Sequence, residues 1–470
     1  MIAAARRRGL LHGGAALAGL FASLVLFWPG IALFDTIYQF QEIVDGSYDD
    51  WHPPIMARLW SLLLGPWPPT APMLLLQLGL LWLGLGLLAA AFARRGRWTA
   101  GWAILAAGAA TFLSCWMGAI LKDGQMVGAL AAAAGIAGWY RLGDRRLSVW
   151  AGAVILVLLA YAAMVRANAV FAVVPLGLGL FGWIGVQRTA ARAAAVVATT
   201  VAIILVSPPI NRHLLGAERS GVENSLLLYD IAGAAIRSGA DDVAGVPAHR
   251  WREAAAKGCY SPIDWGQLGE PRCTVDPRLT PAPDSRPLYG LWVATILRHP
   301  LGYALHRLAH FNATMRLFVP RNLPTAMSPV DSDSNALGLG AEPSDIERAF
   351  WTLGTVWTSL PLAWPCFWLA LAAVALWPAA QAPEGPERNL ALAFLLSACC
   401  GGVSYAAISV ASDLRYHLWT MLAAAIGIAA LAGAGVIKRR HLLAFAAVGA
   451  AVILIGTAGR LLLPPLPPIV

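Results

Sequence analysis

The sequence predicts an all-α polytopic membrane protein, with about 11 transmembrane helices, interfacial helices in the first outer loop and one large extracytoplasmic region. Three observations carry this prediction. Of the 470 residues, 58% are hydrophobic and only 13% are charged, against roughly 25% charged in an ordinary soluble domain. The apolar residues come in runs long enough to cross a bilayer, without the short alternating strands of a barrel, and backbone in lipid must bond internally, which leaves helices. The basic residues cluster in short gaps between those runs: Arg6-Arg7-Arg8, Arg94-Arg95-Gly96-Arg97, Arg141 with Arg145-Arg146, Arg188 with Arg192, and Lys438-Arg439-Arg440. That is the pattern of cytoplasmic loops. It accounts for the net charge of +9 without a nucleic-acid partner.

The first span covers residues 10–33, and the three arginines before it place the N-terminus in the cytoplasm. No small-residue cleavage site follows, so the segment reads as a retained span and not as a signal peptide. It leads into an acidic, aromatic outer loop, 34–54, with four aspartates and one glutamate. Residues 55–64, short and carrying Arg58, read as a helix lying at the interface. Further spans follow at 71–92, 98–120, 125–140, 149–165, 170–186 and 193–206, completing a transmembrane core over 1–208.

Residues 209–348 form the one long polar stretch, on the outer side by this topology. Its Pro/Gly turns, Trp251 and Trp265 predict a folded region. Within it, 287–318 has helical periodicity and 326–342, rich in Ser, Asp, Asn and Gly, reads as a mobile loop. Cys259 and Cys273 lie in this region, where an outer location makes a disulfide reasonable, whereas Cys115, Cys366, Cys399 and Cys400 fall in apolar runs as packing residues. His306, Arg307 and His310 predict a helix at the outer membrane surface that meets lipid phosphates or a phosphorylated ligand. The C-terminal part, 349–470, follows an interfacial helix at 348–359 with spans at 360–377, 390–410, 418–434 and 442–463.

This topology puts Asp35, Asp49, Asp50, His52, Lys122, Asp123, Arg166, Asn168, Asp413, Arg415 and His417 on one membrane face, from four separate inter-span positions. Lys122, Arg166 and Arg415 break the positive-inside rule that the rest of the chain obeys, and ionisable groups at such depth are costly. Carboxylates and guanidinium groups together suit a substrate with an acidic leaving group and an activated hydroxyl or amine. Asp49, Asp50 and His52 also offer a tight set of ligands for a divalent metal ion. Trp51 lies beside His52, with Tyr38 and Gln39 nearby on the same outer segment, as further ligand-facing candidates.

The arrangement resembles the GT-C superfamily of membrane glycosyltransferases, which includes the protein O-mannosyltransferases and the transferases that move aminoarabinose onto lipid A. Asp35, after the first span, matches the family's first outer acidic residue, and Asp123, after the third, matches the second. Gly46 through His52-Pro53-Pro54 is similar to the family's Gly then Pro-Pro before interfacial helices, while Thr36 departs from the Asp-Glu pair of many relatives. The resemblance implies a polyprenyl-phosphate sugar donor and inverting transfer to an envelope glycan, lipid or protein, on the periplasmic face of a bacterial inner membrane. It implies Asp35 as general base, Asp123 and His52 orienting acceptor or donor sugar, and Arg166, Arg415 or Lys122 stabilising the leaving phosphate. The remaining substrate-facing candidates are Asn168, His417, Trp51, Tyr38 and Gln39. Two other classes remain open from the sequence: a transporter or flippase for lipid-linked sugars, and an O-antigen polymerase or ligase leaning on Arg and His.

Overall fold

The computed structural model describes residues 2–182, 189–279, 286–324 and 326–466. The chain is mostly helical. The helices of its first part are α1 Ile2–Phe27, α2 Phe34–Asp45, α3 Ile55–Leu63, α4 Ala71–Arg94, α5 Trp98–Gly108, α6 Thr111–Gly118, α7 Lys122–Arg141, α8 Val149–Val165, α9 Val170–Leu180 and α10 Thr189–Pro209. The long polar stretch, called the outer region after its expected side, adds α11 Glu223–Ser238, α12 Ala248–Ala256, α13 Arg286–Arg298 and α14 Pro300–Met315, and α15 Asp345–Thr358 follows at its end. The last part contains α16 Pro365–Gln381, α17 Pro386–Ile408, α18 Leu418–Ala434 and α19 Arg439–Leu462. Among the described residues, six helices are long and apolar enough to cross a membrane, or seven if the bent pair α5–α6 counts as one.

The central packing unit is α4 against α7, flanked by α1 and α8. Its closeness follows from small residues: a Cβ on Gly84 would stand 2.2 Å from the Ala131 backbone, and one on Gly135 would stand 2.5 Å from the Gly84 carbonyl. Close backbone approach of this kind replaces the hydrophobic drive that lipid does not supply. A second group, α17 with α9 and α18, closes the other side.

The expected span 98–120 is broken, with a 52° bend between α5 and α6. The Ser114 hydroxyl donates to the freed Gly108 carbonyl at 3.3 Å. After α6 the chain runs extended, and buried Gln77 donates to the carbonyls of Met117 and Ala119 at 2.7 and 3.0 Å. Gln125 in turn donates to Gln77 Oε1 at 3.0 Å. These amides answer backbone groups that a broken helix leaves unpaired.

The first helix ends at Phe27, short of the expected 33, ahead of the Trp28-Pro29 step. The stretch after it pairs in parallel with the strand-like segment before α7: Ile31 N donates to Gly118 O, and Ile120 N to Ile31 O, each at 3.0 Å. The outer segment 34–54 is helical in its first half, over α2, where the sequence reads as a loop. Helix α3 falls where an interfacial helix is expected, but Met56, Ala57 and Trp60 are fully buried in the main core. The last residues of the expected span 170–186, at its inner end, lie outside the described residues.

The outer region has its own apolar core, built from Leu227, Leu228, Ile231, Trp251, Leu268 and their neighbours. Cys259 and Cys273 are joined in a disulfide inside that core, with Cα atoms 5.5 Å apart and a sequence separation of 14. Closing a loop of that size restricts the unfolded chain by about 3 kcal/mol. The Cys259→Ser/Cys273→Ser pair is therefore expected to lower the unfolding free energy of this region by about 3 kcal/mol. Limited proteolysis of the oxidised and doubly substituted proteins measures it, and equal protection in both would count against the assignment.

Two expectations for the outer region are corrected. The segment 326–342 is not a free loop: Asp333 N donates to Ala32 O at 2.8 Å, Ala32 N to Ser332 Oγ at 3.1 Å, and Trp351 Nε1 to Ser328 O at 2.6 Å. The histidines of α14 do not face a membrane surface. His306 and His310 are fully buried, and Asp230 forms an ion pair with Arg307 and stands 3.3 Å from His306 Nε2. Tyr229 and Tyr260 close the cluster over His310 and His306, and Arg307 also donates to Ser409 O at 2.6 Å, tying the outer region to the end of α17. Burial pushes the His310 imidazole down to about 3. These groups bind one another, so no charge is left for lipid.

Candidate active site

The backbone pairing of 31 with 118–120 brings Asp35 beside Lys122 and Asp123, more than 80 residues away in sequence. Thr36 locks it. Its hydroxyl donates to Ile120 O at 2.7 Å and accepts from Leu33 N at 3.1 Å, so one side chain both starts α2 and fastens it to the N-terminus of α7. Thr36 thus has a structural task.

Asp35 lies among cations from two further places in the chain. Its carboxylate is 3.2 Å from Arg415, 4.0 Å from Lys122 and 4.0 Å from His52. Burial alone would push this carboxyl up, but Arg415, Lys122 and, more weakly, His52 and Arg166 overcome it and hold it at about 2. Asp35 is therefore ionised at any physiological pH. Its side chain keeps 16% exposure, so a ligand can reach it.

Arg415 is shared. Its Nε stands 2.8 Å from Asp413 and 3.9 Å from Asp123. Asp123 is 1% exposed and is paired directly with Arg166. Arg166 donates to Asn168 Oδ1 at 2.8 Å and its guanidinium lies 4.1 Å over the Tyr416 ring. Arg166 and Asp123 thus form a buried layer, with Asn168 half-buried beside them, behind Asp35, Lys122 and Arg415, which make up the accessible layer. Counted over Asp35, Asp123, Asp413, Lys122, Arg166 and Arg415, the formal charges cancel. Any anion drawn to Lys122 and Arg415 has to compete with Asp35.

Lys122 donates to His52 Nδ1 at 2.7 Å, because an ammonium has no lone pair to accept with. Burial, with the Lys122 charge beside it, pushes the His52 imidazole down to about 3 against the pull of Asp35. His52 is neutral in this setting, with its proton on Nε2.

The other candidates play different parts. Tyr38 donates to Asp49 Oδ2 at 2.5 Å and sets its ring edge-on to His52, with centroids 5.1 Å apart. Gln39 is buried and donates to the Asp35 backbone carbonyl at 3.1 Å, inside its own helix. Trp51 faces Trp265 of the outer region, with ring centroids 6.0 Å apart. His417 is fully buried, with Nε2 2.9 Å from the Thr314 hydroxyl, so it presents no face to a substrate.

The expected metal set is corrected. Asp49 accepts from Tyr38 and from Trp51 N, Asp50 accepts from the backbone and hydroxyl of Ser220, and His52 turns to Lys122. Asp49, Asp50 and His52 do not converge, and among the described residues no group of three His, Cys, Asp or Glu side chains is arranged to hold a metal ion. Their spacing in sequence is short, but each is drawn to a different neighbour.

Sequence reasoning missed Glu42, which is buried on α2 and accepts from Asp49 N at 2.8 Å. Burial pushes its carboxyl up to about 7, despite that donor. A raised folded value means the stability it contributes is full below the unfolded value near 4.5 and is lost as pH rises through about 7. Glu42→Gln keeps the acceptor and removes the charge. Its apparent Tm is expected to exceed the wild type's at pH 8 and to match it at pH 4.5, read by thermal unfolding in detergent.

Gln77 and Thr36 were also overlooked. The signal for Gln77 was an isolated amide within an otherwise apolar span. Comparison of the chain with protein-family models finds no match, and comparison with curated proteins finds none.

Proposed function

We propose that the chain is an integral-membrane inverting glycosyltransferase that takes a sugar from a polyprenyl phosphate and adds it to an envelope glycan, lipid or protein. The observation that supports this reading best is the cluster around Asp35: an ionised, reachable carboxylate with Arg415 at 3.2 Å and Lys122 at 4.0 Å, above a buried Asp123–Arg166 pair. A carboxylate suits proton abstraction from the acceptor, and adjacent cations suit the charge that develops on a departing phosphate. Arg415 offers the planar fork that matches phosphate oxygens.

The topology that goes with this reading has eleven crossings: α1, α4, the bent pair α5–α6, α7 to α10, and α16 to α19. The site then lies where odd-numbered crossings emerge. The basic clusters at Arg94-Arg95, Arg145-Arg146 and Lys438-Arg439-Arg440 lie at the opposite ends. In a bacterium this is the periplasmic face of the inner membrane. A flippase would need charges along a mid-bilayer path, whereas these charges gather at the ends of the helices.

As formed, the Asp35 carboxylate is a weak base because Arg415 and Lys122 hold it. A phosphate that takes those two cations loosens their hold and raises the carboxylate's basicity. Donor binding and base activation are thus one event in this mechanism.

The test is direct. The purified chain in nanodiscs, given a panel of polyprenyl-phosphate pentoses and hexoses, is expected to release polyprenyl phosphate from at least one. Release from none, with the protein folded, would remove the reading. Thiol labelling of single cysteines at positions 144 and 338 from the two sides of a sealed vesicle checks the topology, which requires opposite sidedness.

A further inference from the structure

The gap between His52 and Asp35 has the dimensions and polarity of a binding position for one oxygen atom. His52 Nδ1 is occupied by Lys122, so the ring proton is on Nε2. Among the described residues, Nε2 has no hydrogen-bond partner, although His52 is only 3% exposed. A buried, unanswered N–H of this kind is costly unless something meets it. Asp35 Oδ1 lies 4.0 Å from that nitrogen. That is too long for a hydrogen bond and short enough for one oxygen about 2.8 Å from each atom.

Resting on the transferase reading, we propose that this gap holds the acceptor's nucleophilic atom, that the acceptor is an alcohol and not an amine or amide, and that His52 is the positioning residue that makes the choice. The electron count decides it. The atom in the gap accepts the His52 Nε2–H bond with one lone pair and donates its own proton toward Asp35. It needs a further lone pair to attack the sugar.

A hydroxyl oxygen has two lone pairs and can do both; a neutral amine has one and cannot. In the transfer, the second oxygen lone pair forms the bond to the anomeric carbon. The bond from that carbon to the phosphate oxygen breaks with its electron pair, leaving polyprenyl phosphate. The hydroxyl proton passes to Asp35, and the His52 N–H bond stays intact throughout. Water meets the same requirements, so slow hydrolysis of the donor is expected when no acceptor is present.

The experiment uses the full chain in nanodiscs and a polyprenyl-phosphate sugar that the wild type cleaves, with octanol, octylamine or water as acceptor. Octanol is expected to be glycosylated in preference to octylamine. His52→Ala is expected to reduce transfer and hydrolysis about ten- to hundredfold, the worth of one hydrogen bond to a reacting group. The donor KM should not rise, because losing His52 leaves Lys122 freer for the phosphate, and His52→Gln, which keeps an N–H, should recover part of the loss.

If neither octanol nor octylamine is used, hydrolysis alone decides. A rate slowed by His52→Ala without a rise in donor KM supports the assignment, and an unaffected rate overturns it. Equal use of octylamine, or a loss confined to donor KM, would also overturn it. An unchanged thermal transition in both variants separates these outcomes from misfolding. No cleavage of any donor by the wild type would remove the transferase reading itself, a failure distinct from cleavage that ignores His52.

Discussion

Asp35→Asn is expected to lower kcat for sugar transfer by about 10²- to 10⁴-fold, the range of general-base catalysis, while the protein remains folded. The substitution preserves shape, and the contacts that hold α2, from Thr36 to Ile120 O and from Gln39 to the Asp35 carbonyl, use neither carboxylate oxygen. Donor affinity should not fall, because losing Asp35 frees Arg415 and Lys122 for the phosphate. Transfer and donor binding measured on the same preparation check this split. Full transfer by the asparagine variant would sink the base assignment.

The pH profile carries a second signature of the same residue. Because Asp35 is held at about 2, kcat/KM should show no acid limb from this carboxylate in the usual assay range. In kcat, which reports the donor complex, an acid limb above 2 is expected once the phosphate has taken the cations.

Arg166→Met is expected to have the largest effect on stability, about 3–5 kcal/mol, the cost of leaving one charge of a buried pair unanswered. Asp123 is 1% exposed, and Arg166 joins it across the start of α7 and the end of α8. Arg415, 3.9 Å away, compensates only in part. Replacing both partners, Asp123→Leu with Arg166→Met, should recover most of the loss because no charge is then stranded. Denaturant unfolding in detergent measures the three proteins. A single substitution costing under about 1 kcal/mol would mean that the pair does not hold these helices together.

Much of the helical layout was legible because lipid imposes so simple a rule. Runs such as 71–92 and 418–434 have few alternatives to a helix, and α4 and α18 are there. The break at Gly108 was not legible: no proline marks it, and it depends on Ser114 and Gln77 receiving the freed carbonyls. The segment 34–45 reads as a loop because its acids and aromatics mask a helix whose inner face is Thr36, Gln39, Phe40 and Glu42. Residues 326–342 have loop composition, and nothing in that composition reveals partners as distant as Ala32.

The site divides in the same way. Which charges share a membrane face follows from counting spans, and the structure brings Asp35, Lys122, Asp123, Arg166 and Arg415 together. Which of them are reachable does not follow from counting. Arg166 and Asp123 are buried because Tyr416 and Asn168 close over them, and the inward orientation of His417 depends on Thr314 of the outer region. Asp49 and Asp50 are adjacent in sequence but are pulled apart by Tyr38 and Ser220.

The Ser220 contact belongs to a short parallel ladder, in which Tyr48–Asp49 pairs with Ala217–Glu218 and Asp50 N donates to Glu218 O at 3.0 Å. The strip that carries His52 is thus stitched to the first residues of the outer domain. Exchanging that domain alone between proteins would strip the seam and let His52 drift. A chimera that exchanges this domain has to inherit 48–52 and 217–220 as a matched set.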